Sequence, residues 1–134
     1  MLAHTGPFYG VDFDGARPSL AAEVLRGFPN LSLILTECGG RPYFQEAIAL
    51  AEDYPQVAFH CTGGVAGNPG PDDPNNQELV GLFRSIGTHR VMFGSDWPFR
   101  NPLQDIQRLQ GLPPVNEEKR AILFDNARLI LKLS

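Results

Sequence analysis

Arg90-Val91-Met92-Phe93-Gly94-Ser95-Asp96-Trp97-Pro98 decides how the rest of this chain is read. Val91, Met92 and Phe93 form a short apolar run bounded by turn-forming residues, the pattern of a buried strand. Gly94 lets the backbone pass close to a neighbour, and Pro98 stops the strand from continuing. Asp96 is thereby delivered to the carboxyl end of a core strand, beside a bulky aromatic. In parallel α/β folds that edge carries ligands and metals. The plain alternative is an Asp-x-Pro turn in which Asp96 only bonds its own backbone and starts the next helix.

Working outward, residues 31–37 and 57–62 are two further apolar strand candidates, and Met1-Leu2-Ala3-His4 reads as the end of a fourth. Helical patterns lie between them. Pro18 suits a first turn, with Leu20, Val24 and Phe28 recurring every four residues. Phe44, Ala47, Ile48, Ala51 and Tyr54 make a second stripe, ended by Pro55. Leu79, Phe83 and Ile86 make a third behind Asn75 and Asn76, both good caps. Residues 103–109 form a short helix, and another runs from Glu117 past Phe124, with Leu129, Ile130 and Leu133 continuing its apolar pattern. The order β-α-β-α-β-α-β-α, with connections long enough for right-handed crossovers and strands without polar alternation, predicts a parallel α/β sheet. Residues 63–76, rich in Gly, Pro, Asp and Asn, form a loop long enough to be functional or mobile.

The 134 residues fit one domain with no linker. A net charge of −4 without any Lys/Arg cluster gives no footprint for nucleic acid. No apolar run approaches a membrane span and nothing resembles a signal peptide. Two cysteines, Cys38 and Cys61, make no disulfide framework, so a reduced, cytoplasmic setting is expected, with two small buried thiols that could pair only if their strands are neighbours.

Each strand candidate ends in a side chain able to ligate metal or move protons: His4, Glu37, His60 and Asp96. In a parallel sheet all four project to one rim, which suits a divalent metal or a general acid/base pair. Glycines follow three of them (Gly6, Gly39-Gly40 and Gly63-Gly64) and would leave room for a substrate. Against this, His4 could be a frayed terminus, Glu37 a solvated loop acid and His60 a satisfied core histidine. His89 precedes its strand, so it belongs to the opposite rim.

The segment from Arg90 to Pro98 resembles the strand-eight motif of the amidohydrolase superfamily, in the amidohydrolase-related branch of metal-dependent hydrolases and aminocarboxymuconate-semialdehyde-type decarboxylases. Phe28-Pro29-Asn30-Leu31 and Tyr54-Pro55-Gln56-Val57 are similar to that branch's lead-ins to strands six and seven, and Ile122-Leu123-Phe124-Asp125-Asn126-Ala127-Arg128-Leu129 to its closing segment. The resemblance implies that residues 1–134 are one amidohydrolase-related domain, the C-terminal half (strands five to eight) of a (β/α)8 TIM barrel. Such a barrel typically needs about 250 residues. It implies that Asp96 is a metal ligand and accepts a proton from the nucleophilic water, and that His4 is a metal ligand. Glu37 stands where the family carries a strand-six histidine, so it would ligate or serve as base. His60 is not a family position and would partly compensate. The His-x-His of strand one has no counterpart.

The expected activity is metal-dependent hydrolysis of a small carbonyl-type substrate. Asp96, Glu37 and His60 are the expected catalytic residues; His4, Asp96 and Glu37 are the expected ligands of a divalent ion, zinc first among candidates. The alternatives are a metal-dependent decarboxylase of the same family and a non-catalytic half-barrel that binds or assembles. The expected partner is a missing N-terminal half or a second copy of the chain.

Overall fold

Backbone pairing in the computed structural model, which describes residues 1–6, 14–62, 75–113 and 116–133, joins four short strands. They are β1 (Leu2–Ala3), β2 (Ile34–Leu35), β3 (Ala58–Cys61) and β4 (Val91–Phe93). Their order in the sheet is β1-β2-β3-β4, and every neighbouring pair is parallel. All four expected strands exist; β1, β2 and β3 are shorter than the runs that predicted them, and β4 matches its apolar run. Residues 31–33 lead into β2 without belonging to it, although the Leu33 carbonyl still accepts from Ala58 N at 2.9 Å. Beyond Leu35 the chain coils at once into a 3-10 turn over Thr36–Gly39.

The helices are α1 (Ala21–Gly27), α2 (Phe44–Asp53), α3 (Asn75–Ile86), α4 (Pro102–Gly111), α5 (Asn116–Arg120) and α6 (Asn126–Ile130). A π-helical turn, Ala121–Asp125, joins α5 to α6. Side chains alternate across a strand, so the register sorts the sheet into two faces. Leu35, Phe59 and Val91 form one cross-strand row. That row is buried with Leu33 and Val57 against Leu25, Ala47, Leu50, Phe83, Ile86 and Ile122 of the surrounding helices. Leu2, Ile34, Ala58 and Met92 alternate with it and lie outside that core. His60, opposite Met92, belongs to this second face.

Two apolar patterns face outward, against expectation. Leu20, Val24 and Phe28 are 48%, 39% and 66% exposed, because α1 reaches the core through Leu25, with Ala21 and Ala22 partly buried beside it. At the other end Leu129 and Leu133 are exposed. The closing segment is held to the sheet instead by Ile122 and by Asn126, whose Nδ2 donates to the carbonyls of Val91 (2.7 Å) and Thr88 (2.8 Å).

β1 and β4 are the outer strands, each with one edge unpaired among the described residues. Met1 and Leu2, beside the β1 edge, are exposed. His89 is exposed and precedes β4, on the rim opposite the strand ends, as expected. Most of the loop read at 63–76 lies outside the described residues. No helix among the described residues is long and apolar enough to cross a membrane.

Candidate active site

With all strands parallel, His4, Glu37 and Asp96 follow the carboxyl ends of β1, β2 and β4, and His60 is the next-to-last residue of β3, on the same rim. His4 comes one residue after the Ala3–Leu35 pair, which sets it beside Thr36; its Nδ1 lies 3.2 Å from Thr36 Oγ1. Thr5 braces the same turn from below, its hydroxyl donating to the Thr36 carbonyl at 2.6 Å.

Glu37 and Asp96 both occupy left-handed backbone, with φ of 58° and 55°. Non-glycine residues there cost of order 1–3 kcal/mol each and cluster at functional sites. The Glu37 carboxylate accepts the buried Thr62 hydroxyl at 2.6 Å through Oε2. Burial pushes the Glu37 pKa up, and the nearby Asp96 charge adds to the rise; the Thr62 hydrogen bond and the charges of His4 and Arg100 work the other way.

Asp96 is exposed, and its carboxylate has no hydrogen-bond partner among the described residues. The helix-starting role of the plain Asp-x-Pro reading falls to Asn101, whose Oδ1 accepts from Leu103 N at 3.0 Å. Among the described residues, Asp96 is therefore left without a structural partner at the rim.

His60 is partly buried. Burial lowers its pKa below the ordinary imidazole value, and Asp96 opposes the drop. Its ring lies over Gly94: a Cβ built there would sit 1.4 Å from His60 Nε2. Its Nδ1 is buried without a partner among the described residues.

Two of the glycines after the strands, Gly6 and Gly39, serve close packing within the fold. Gly6 has φ +106°, and a Cβ there would meet Gly40 Cα at 3.1 Å, so the ends of β1 and β2 pack backbone to backbone. At Gly39 a Cβ would meet Pro18 Cγ at 2.9 Å. Gly63 and Gly64 lie outside the described residues. Cys38 and Cys61 are buried free thiols. The Cys38 thiol is pushed well up, first by its hydrogen bond with Cys61 and then by burial, which keeps it unreactive.

Three participants escaped the sequence reading. Thr62 and Thr36 are strand-end threonines whose hydroxyls hold Glu37 and meet His4. Arg100 pairs with the buried Asp105 across five residues, a spacing with no motif to mark it.

The expected metal ligands need a closer test. The donor types suit a divalent ion, yet among the described residues no three His, Cys, Asp or Glu side chains converge to hold one. His4, Glu37 and Asp96 share a rim without making a finished three-ligand site. His4 and Asp96 stand exposed, and Glu37 is tied to Thr62.

A family model described as amidohydrolase matches residues 1–133. Among solved structures, an uncharacterised TIM-barrel protein, Bb4693 from Bordetella bronchiseptica, superposes with a TM-score of 0.79 at 22% identity, covering 98% of this chain and 45% of that one. A putative 2-pyrone-4,6-dicarboxylic acid hydrolase from Pseudomonas putida gives 0.64 at 18% identity, over 99% of this chain and 51% of that one. A dihydroxybenzoic acid decarboxylase from Polaromonas sp. JS666, with bound manganese and the inhibitor 2-nitroresorcinol, gives 0.62 at 20% identity, over 82% and 36%. At these identities the superpositions show the fold alone. No curated protein matches the chain significantly. The chain thus spans about half the length, or less, of these barrels. Parallel strands in sequential order and the match over residues 1–133 place this chain in the amidohydrolase family, as a partial (β/α)8 barrel.

Proposed function

We propose that this chain is the strand-five-to-eight half of a hydrolase acting on a small carbonyl-bearing molecule, completed by a second half-barrel at the outer edges of β1 and β4. The observation that carries this reading is the gathering of His4, Glu37, His60 and Asp96 on one rim, near enough for Asp96 to act on both Glu37 and His60. The edges of β1 and β4 left open among the described residues, and the exposed Leu20, Val24 and Phe28 on and flanking α1, support completion.

Two carboxyls in unlike environments divide the proton work. Asp96, exposed and without a hydrogen-bond partner among the described residues, is the acceptor for a proton leaving a water at the rim. Glu37, whose proton is retained more readily through burial, is the donor to a leaving group, with Thr62 fixing its orientation. His60, favoured neutral by burial, lines the pocket behind Asp96. A divalent ion, as found in the Polaromonas structure, would polarise the carbonyl and would need donors from the completing half. A raised Glu37 pKa also suits a proton donor to carbon, which favours decarboxylation as the second reading.

Elemental analysis after loading with zinc or manganese tests the site. The chain alone should retain less than one ion, lose it in both Asp96→Ala and His4→Ala, and turn over 2-pyrone-4,6-dicarboxylate and 2,6-dihydroxybenzoate slightly or not at all. A full equivalent held equally by parent and both variants would put the ion elsewhere and defeat this reading.

A further inference from the structure

Arg100 sits four residues past Asp96, just beyond the turn that the Phe99 N to Asp96 carbonyl bond closes at 2.9 Å. Asp105, in the first turns of α4, is almost fully buried and grips one side of the guanidinium: Nε to Oδ2 at 2.9 Å and Nη2 to Oδ1 at 2.7 Å. This is a side-on, bidentate pair, and it fixes the plane of the guanidinium. A guanidinium has five N–H donors. Two go to Asp105, and the three on the far edge, on Nη1 and Nη2, have no hydrogen-bond partner among the described residues. The Arg100 side chain remains 30% exposed while that of Asp105 is 2% exposed, so the free edge is the accessible one. The Arg100 charge also reaches the rim, acting on both Glu37 and Asp96.

We propose that Arg100 binds the carboxylate of a small organic acid at the strand-end rim through its free Nη1–Nη2 edge, with Asp105 as the positioning residue that holds that edge open. This rests on the reading of the rim as a substrate site and adds the class of substrate. A planar carboxylate matches the fork geometry. A phosphate dianion is disfavoured, because Asp105 already neutralises much of the Arg100 charge and the Glu37 and Asp96 carboxyls are close by. A merely structural role, compensating the buried Asp105, needs only a cation and not a second donor edge.

The test is a calorimetric titration of the full chain and its variants with benzoate in chelator, with the 15N–1H signal of the Arg100 Nε–H as local reporter in the parent and inorganic phosphate and benzyl alcohol as comparison probes. Saturable binding of benzoate alone is expected, weakened at least tenfold in Arg100→Lys, which leaves a cation for Asp105 and so preserves the fold. The paired Arg100→Gln/Asp105→Asn variant, which leaves no buried charge unpaired, should abolish it, with thermal melts confirming folding. Equal benzoate affinity in parent and Arg100→Lys, phosphate binding as tight as benzoate, or no saturable binding in the parent would each overturn the proposal. Metal is absent and no turnover is needed, so benzoate binding by a chain whose metal is held equally in parent, Asp96→Ala and His4→Ala would defeat the metal-site reading and leave this one standing.

Discussion

Replacing Gly94 with alanine is expected to be among the most damaging single methyl additions in this chain. The new Cβ would overlap His60 Nε2 at 1.4 Å, far inside any tolerable contact. Either the imidazole swings out or the end of β4 shifts, and overpacking of this kind costs about 1–3 kcal/mol. Thermal denaturation should show a drop in Tm of several degrees. The variant should also alter the pH dependence of stability. Burial lowers the His60 pKa in the folded chain, so the unfolded chain takes up a proton that the folded chain resists. Stability in the parent therefore falls as pH drops through about 6.5, the ordinary imidazole value. If the ring moves to water in Gly94→Ala, that loss should flatten. An unchanged Tm with an unchanged acid limb would mean that His60 does not lie over Gly94.

Asn126→Leu should cost as much or more, by a different route. The side chain is buried, and its amide nitrogen serves the carbonyls of Val91 and Thr88 together. A near-isosteric leucine fills the space yet strands both acceptors, at about 1–3 kcal/mol for each unsatisfied group. Against a total stability of about 5–15 kcal/mol this is a large share. Asn126→Asp should be comparably harmful, since a carboxylate has no donor to offer. Denaturant titration gives the answer, and a midpoint within error of the parent in both variants would remove Asn126 from its role as the clamp between the closing helices and β4.

That clamp shows what the sequence makes legible and what it hides. The closing Asn126-Ala127 pair is recognisable as a pattern, but nothing in the string says that the asparagine ties β4 to the last helix across 35 residues. The four strands were legible because unbroken apolar runs followed by a polar residue and glycine have few other readings. Their lengths were not, since pairing depends on neighbours: residues 31–33 are as strand-like as Ile34 and Leu35 but lie before the ladder. Periodicity found α1 and misjudged its buried side. Leu20, Val24 and Phe28 repeat with helical spacing, yet Leu25 is the residue that enters the core, because a stripe does not say which surface will be covered.

The rim divides in the same way. His4, Glu37, His60 and Asp96 could be singled out because each lies at or just past the end of an apolar run, and parallel pairing carries them to one edge. The residues that tune them could not. Thr62 is an ordinary threonine until β3 sets it beside Glu37, and Arg100 gains meaning only from the burial of Asp105. Gly94 was read as a point of close approach, and the approaching group is His60; Gly6, read as leaving room for a substrate, is approached by the backbone of Gly39 and Gly40. Neither neighbour is adjacent in sequence.

The most direct test of the shared rim is the response of its members to the loss of one charge. In metal-free buffer, the pKa values of His60 and Glu37 can be followed by NMR in the parent chain and in Asp96→Asn, with His89 on the opposite rim as internal control. Asp96 favours the imidazolium of His60 and disfavours ionisation of Glu37, so removing its charge should lower both values. If both are unmoved by the substitution, the ends of β2, β3 and β4 do not form one site.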